Sequence, residues 1–298
     1  MEYHVPVLAT ESIDALNIKP NGVYVDATFG GGGHSKLILE RLGEEGHLFG
    51  FDQDEDAQEN IIDDPRFTFV DHNFRLLKRF LRLHGHSKID GVLADLGVSS
   101  HQLDEASRGF SYRFDAALDM RMNREEGQTA ADLLNRLSAG ELQEMFSQYG
   151  EVRNSKMLAK AIVGSRLSGK LQTVGDFLSI LEPLIRGQRR RYLSQVFQAI
   201  RIAVNDEMGA LSDFMSQVSE VLKPTGRFSV ITYHSIEDRL VKRFLKTGNV
   251  EGVVEKDFYG NIQRPFKVIT RKAILPTEEE IKRNPRARSA KLRIGERI

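Results

Sequence analysis

The chain has 298 residues, with 42 basic and 42 acidic side chains and therefore no formal net charge; 40% of its residues are apolar and 28% charged. That length buries a substantial core and suits two domains, the balanced charge argues against a wholly basic nucleic-acid coat, and the absence of cysteine excludes disulfides, thiolate metal sites and cysteine nucleophiles. Met1 to Pro6 carry neither a basic flank nor an apolar core, and no run approaches membrane-spanning length, so a cytoplasmic protein without a membrane partner is expected.

The first predicted element is a short apolar strand from Val23 that passes through Asp26 into four consecutive glycines, Gly30 to Gly33. Glycine has no Cβ and tolerates positive φ, so a chain leaving a strand through these residues can turn sharply and press its amides against a ligand. Leu37, Ile38 and Leu42 then resume with helical spacing. The dinucleotide pattern Gly-x-Gly-x-x-Gly fits poorly, because counting from Gly30 puts Ser35 at the third glycine. Read from Asp26, the stretch is Asp-x-x-x-Gly-x-Gly, which resembles the first motif of class I S-adenosylmethionine (SAM) methyltransferases; the bland alternative is a tight turn and nothing more. Leu48 to Asp52 is a second apolar run ending in a carboxylate about 20 residues past the glycines, the offset at which an acid meets ribose hydroxyls. Asp52 is the ribose candidate, and its charge disfavours a 2′-phosphate. The bland alternative is that Asp52, Asp54, Glu55 and Asp56 only cap the next helix; both readings hold together if Asp54 or Asp56 caps while Asp52 binds.

Arg66 to Val70 and Ile89 to Ala94 read as further strands, with Leu76, Leu77, Phe80, Leu81 and Leu83 marking a helix between them. Strand and helix alternate, which predicts an α/β, doubly wound, mostly parallel sheet with its ligand outside the carboxyl ends of the strands. The residues just past those ends are Gly30 to His34, Asp52, Asn73 and Phe74, and Asp95 to Gln102. From about Leu103 the pattern turns helical, over 130–137, 140–149 and 156–167, and no strand run intervenes. Val196, Ile200, Val204, Leu211, Met215, Val218 and Leu222 predict one long amphipathic helix, ended by Lys223-Pro224-Thr225-Gly226. Strands are expected over 227–233, 266–273 and 290–298 and a helix over 238–245. The expected division is a discontinuous domain, 1–103 with 206–298, around a helical insertion, 104–205.

Several later blocks are more specific: Asp95-Leu96-Gly97-Val98-Ser99-Ser100-His101-Gln102-Leu103-Asp104, Leu118-Asp119-Met120-Arg121-Met122, and Asn284-Pro285-Arg286-Ala287-Arg288-Ser289. With His4-Val5-Pro6-Val7-Leu8, Gly32 to Ser35, Phe197 to Ile202 and His234-Ser235-Ile236-Glu237-Asp238-Arg239, they closely resemble, in order and over nearly the whole chain, the RsmH (MraW) family. The resemblance implies a class I, Rossmann-like SAM-dependent methyltransferase acting on the exocyclic N4 of a cytosine in 16S ribosomal RNA of the small ribosomal subunit, with the insertion as an RNA-recognition domain. It implies cofactor contacts from Gly32, Gly33, His34, Asp52, Phe74, Asp95 and Gln102, and it is compatible with a homodimer, for which no stretch of sequence locates an interface. On residue type alone Phe74 serves equally as an adenine wall or a core aromatic.

A cytosine amine is a poor nucleophile because its lone pair is delocalised into the ring. Catalysis then rests on positioning, which can supply roughly 7–11 kcal/mol. An acceptor for one N–H would free the lone pair, and Asp95, Ser99 or the Leu96 carbonyl are the candidates, Asp95 first. Amino methyltransferases often carry two prolines and an aromatic after this acid; here Leu96, Gly97 and Val98 stand instead, so base stacking falls to Phe110, Tyr112 or Tyr233. His234 is a candidate to take the departing proton or bind RNA, with a structural role as the alternative. His84-Gly85-His86 lacks the carboxylates of a metal site, and no catalytic metal is expected. Arg186 with Arg189 to Arg191, and Lys282 to Arg288 with Lys291 and Arg293, are candidate phosphate grips or solvated faces. An NAD-type oxidoreductase is disfavoured by the missing third glycine, and a non-catalytic RNA-binding factor by the intact Asp26, Asp52 and Asp95.

Overall fold

The computed structural model describes residues 6–254, 256, 258–260 and 264–298; His4 and Val5 of the first motif lie outside them. The elements run α1 (Ala9–Leu16), β1 (Val23–Asp26), α2 (Gly33–Leu39), β2 (His47–Asp52), β3 (Phe67–Asp71), α3 (Leu77–Leu83), β4 (Ile89–Asp95), α4 (Ser100–Asp104), α5 (Ala130–Arg136), α6 (Ala139–Gly150), α7 (Ser155–Ser165), α8 (Val174–Leu181), α9 (Arg189–Val204), α10 (Glu207–Val221), β5 (Leu222–Thr232), α11 (Ser235–Thr247), β6 (Phe266–Val268), α12 (Glu278–Arg283) and β7 (Lys291–Arg297). The chain divides into two compact units, residues 1–97 with 209–298, and residues 98–208.

The first unit is the α/β unit. Its seven strands lie in the order β3-β2-β1-β4-β5-β7-β6. β1 pairs in parallel with β2 and β4, β2 with β3 and β4 with β5, while β7 runs antiparallel to β5 and β6. Strands buried on both faces read as continuous apolar runs, which is why Ile89–Asp95 is buried along almost its whole length. The chain winds outward from β1 in one direction and returns through β4 in the other. In open α/β sheets that reversal marks the strand ends where ligands bind, and here it falls at the carboxyl ends of β1 and β4, where the glycine run leaves β1. α1 packs Ile13 and Leu16 with Tyr24, Ile38 and Leu48 under the sheet.

The second unit is helical, with a core that includes Phe110, Leu134, Phe146, Ile162, Phe177 and Val196. Its helices start where the sequence offers a hydroxyl cap followed three residues later by an acid: Thr129 with Asp132, Ser138 with Glu141, and Thr173 with Asp176 each form a reciprocal capping box.

Four expectations are corrected. The unit boundaries fall at 98 and 208 rather than 104 and 205, because Val98 and Leu103 pack on the helical core. The single long helix is two, α9 and α10: Asn205 turns its side chain back to the Arg201 and Met120 carbonyls and Asp206 takes φ +47°. The turn at 223–226 is absorbed into β5, where Thr225 at φ +66° accompanies a register shift opposite Ile89 and Gly91. The strand expected over 266–273 stops at Val268.

Candidate active site

The glycine bend is held by carboxylates. Asp26, at the end of β1 and fully buried, accepts the Thr28 amide at 3.1 Å and the Ser35 hydroxyl at 2.7 Å, so one side chain ties the start of the bend to the start of α2. Burial pushes its pKa up to about 6 against the pull of those two bonds. Gly30 and Gly32 take φ +48° and +72°, the left-handed region glycine enters without strain. A Cβ at Gly31 would meet nothing within 4 Å, whereas one at Gly33 would press on the Pro6 ring at 3.2 Å. The run therefore leaves an open face at Gly31 and a close packing at Gly33.

Asp52, at the tip of β2, accepts the Gly30 amide at 2.8 Å on one oxygen and the Asp54 amide at 2.9 Å on the other. Each carboxylate oxygen retains a further lone pair. Its pKa is also pushed up to about 6 by burial, the two amides acting in the opposite sense. Asp54 is the cap, taking the Asp56 amide at the start of a short 3-10 helix, Glu55–Asn60, so the capping role open among these acids falls to Asp54.

Asp95, at the tip of β4, donates its amide to the Thr28 hydroxyl at 2.6 Å, and its Oδ1 accepts the Tyr233 hydroxyl at 2.8 Å. Burial raises its pKa to about 6, opposed by His34 and the Tyr233 bond. Burial and Asp95 in turn raise the Tyr233 phenol well above its usual value, so it stays a donor. His34 is buried with Nε2 3.1 Å from the Val7 carbonyl and Nδ1 3.9 Å from Asp95 Oδ2. A carbonyl only accepts, so Nε2 carries the proton, and 3.9 Å is too long for a direct hydrogen bond to Asp95.

Gly32, Gly33, His34, Asp52 and Asp95 are thus brought together at the strand tips of the α/β unit. Phe74 follows β3 in the same unit, with its ring 4.9 Å from that of Phe214 and tilted 55° to it. His234 caps α11: its Nδ1 accepts the Glu237 amide at 3.3 Å, and its Nε2 lies 3.0 Å from Glu237 Oε1 without the alignment of a hydrogen bond. Ser99 and Gln102 belong to the helical unit, where they form the capping box that starts α4.

Among the stacking candidates, Phe110 is a core residue of the helical unit, 5% exposed, and is unavailable to a base. Tyr112 meets Phe197 edge-on at 5.5 Å, and the Tyr233 hydroxyl is committed to Asp95. Of the basic clusters, Arg189 pairs with Glu182 at 2.9 Å, and Arg293 is buried against Asp238 at 2.6 Å with Lys291 3.4 Å from the same carboxylate, which removes Arg293 from any phosphate grip. His84 and His86 pack against Phe49, and His86 stacks with His47. Thr28, Ser35 and Glu237 went unnoticed in the sequence as supports; the Glu237 carboxylate accepts the Tyr233 amide at 2.9 Å. Only the His-x-x-Glu spacing, a capping pattern, signalled any of them.

The sequence model of the MraW methylase family matches residues 1–298. A ribosomal RNA small subunit methyltransferase H of Parabacteroides distasonis is 56% identical over 298 residues, covering 99% of this chain and 98% of the relative. One of Bacteroides thetaiotaomicron is 57% identical over 298 residues, covering 100% and 98%, and one of Christiangramia forsetii is 53% identical over 299 residues, covering 100% and 99%.

Proposed function

The chain belongs to the MraW methylase family and is a SAM-dependent methyltransferase, and we propose that it methylates the exocyclic N4 of a cytosine in small-subunit (16S) ribosomal RNA. The observation that carries the reading is the identity of more than half, from end to end, to relatives of that name. The substrate form we propose is the RNA within a small ribosomal subunit, in the cytoplasm. Among the described residues no helix is long and apolar enough to cross a membrane.

The residues present fit SAM. The open face at Gly31 gives a ligand access to the backbone of the bend, and Asp52 keeps an acceptor site on each oxygen for a ribose diol. Gly32, Gly33, His34 and Phe74 are proposed to complete the cofactor cradle within the α/β unit. When bound, SAM supplies an electrophilic methyl group on a sulfonium.

Asp95 is proposed to accept one N–H of the cytosine amine, which turns the nitrogen lone pair out of conjugation and toward the methyl. Its carboxylate is pre-set for this by the Tyr233 hydroxyl and its backbone by Thr28, so little reorganisation is left to the moment of reaction. His234 is the proposed recipient of the departing proton, although its capping geometry makes bulk water the competing route.

The test is mass spectrometry of ribosomal RNA from cells lacking the gene, complemented with the wild type or with Asp95→Ala. Loss of one N4-methylcytidine, restored by the wild type and not by the variant, is expected, with turnover in vitro falling at least about 100-fold. Full restoration by Asp95→Ala would remove Asp95 from the chemistry, and an unchanged methylation pattern in the deletion would remove the substrate.

A further inference from the structure

Helix α11 leaves the strand tips at His234 and runs back along β5, β6 and β7 for 13 residues, roughly 20 Å at 1.5 Å per residue. Its inner side is apolar, with Val241, Phe244 and Leu245 buried. Its outer side carries Arg239, Lys242 and Lys246, all exposed and spaced three and four apart, which stacks them on one face. The acids of its first turn, Glu237 and Asp238, are buried and spent on the cap and on Arg293. Among the described residues no acid pairs with Lys242 or Lys246. Where α11 ends, Lys246 borders a groove of about 690 Å³ along the β6–β7 edge, whose walls also carry Arg264, Lys267 and Arg271. Glu296 also lines it, held by Arg227 at 2.7 Å and by Lys267 at 3.6 Å, which leaves Lys246, Arg264 and Arg271 as the cations of the groove that the track uses.

The chain as a whole has equal numbers of acids and bases, so a mainly basic face running along α11 to the sheet edge is a local departure from its composition. Resting on the ribosomal RNA substrate argued above, we propose that the outer face of α11 and the groove at its end form a phosphate track that grips the RNA backbone outside the methyl-transfer pocket. Lysine and arginine at this spacing match a polyanion and read no sequence, which suits an enzyme that must hold a long RNA while one base is drawn into the pocket. Protection of the exposed edge strand accounts for Lys267 on β6, but not for Lys242 and Lys246 on a helix.

The experiment measures binding of 16S ribosomal RNA to the full chain at a series of salt concentrations, for wild type, Lys242→Gln/Lys246→Gln, Lys242→Arg/Lys246→Arg, and Arg79→Gln/Arg82→Gln on exposed positions of α3, toward the other sheet edge. The glutamine pair on α11 is expected to lower the slope of log K against log salt by about 1 to 2 and to weaken binding about tenfold near 0.15 M salt. It should raise KM for RNA with kcat unchanged, and leave SAM affinity by calorimetry as it was. The arginine pair should keep the wild-type slope, and so should the α3 pair. An unchanged slope in the α11 glutamine pair, or an equal fall in the α3 pair, overturns the track while leaving the RNA substrate standing. Wild-type protein that binds SAM but no RNA overturns the substrate and the track together, and an acidic protein partner displaced by the α11 change while RNA binding persists overturns the track in favour of a protein contact.

Discussion

The two units spend their interiors differently. The helical unit closes on an apolar core of aliphatic and aromatic side chains, whereas the strand tips of the α/β unit bury or half-bury Asp26, His34, Asp52, Asp95 and Glu237 around an open glycine bend. Burial of carboxylates costs stability unless bonds offset it. Three of these groups have pKa values raised to about 6, so the offset is incomplete. The contrast separates a region built for packing from one in which stability is given up to hold buried charges at the strand tips, where the ligand site is proposed.

The largest expected effect tests the packing side. Phe146→Ala, at a fully buried position on α6, should destabilise the helical unit by about 3–5 kcal/mol, read from the urea midpoint. A loss below about 1 kcal/mol would mean that this core is loosely packed and the contrast is false.

Asp26→Asn tests the other side, with the opposite sign. The carboxyl has its folded pKa near 6 and an unfolded value near 3.9, so the folded state binds more protons between those values and its stability falls as pH rises through them. Burial of the charge then costs its full amount above pH 6 and nothing below about pH 4. The amide keeps an acceptor for Thr28 and a donor for Ser35, so the variant should gain about 1–2 kcal/mol over wild type at pH 7 and lose that gain at pH 4. A variant less stable than wild type at pH 7 would show the ionised group to be well compensated.

The smallest effect sharpens the ligand side. Asp52 is proposed to offer a sugar its ionised oxygens, and its pKa lies near 6, so on that proposal SAM affinity by calorimetry should fall up to about tenfold between pH 7 and pH 5. Asp52→Asn should bind more weakly at pH 7 and show a flat profile. An identical pH dependence in both proteins would place the titrating group elsewhere.

What the linear order determined is substantial, because short-range periodicity carries it. Strand, glycine bend and helix over Val23 to Leu42, the acid at Asp52, and the hydroxyl-to-acid spacings that start α5, α6 and α8 are all local patterns whose meaning does not depend on distant residues. Tertiary structure alone decided that Tyr233, some 138 positions along, would reach Asp95, that Asp26 would tie Thr28 to Ser35, and that Phe110 would vanish into a core. It also split the long amphipathic run at Asp206, since an apolar stripe continues in register across a break that only φ +47° reveals. Periodicity reports which face of an element is apolar; which partner that face meets, and which carboxylate a remote hydroxyl steadies, are set by how the strands cross and pack.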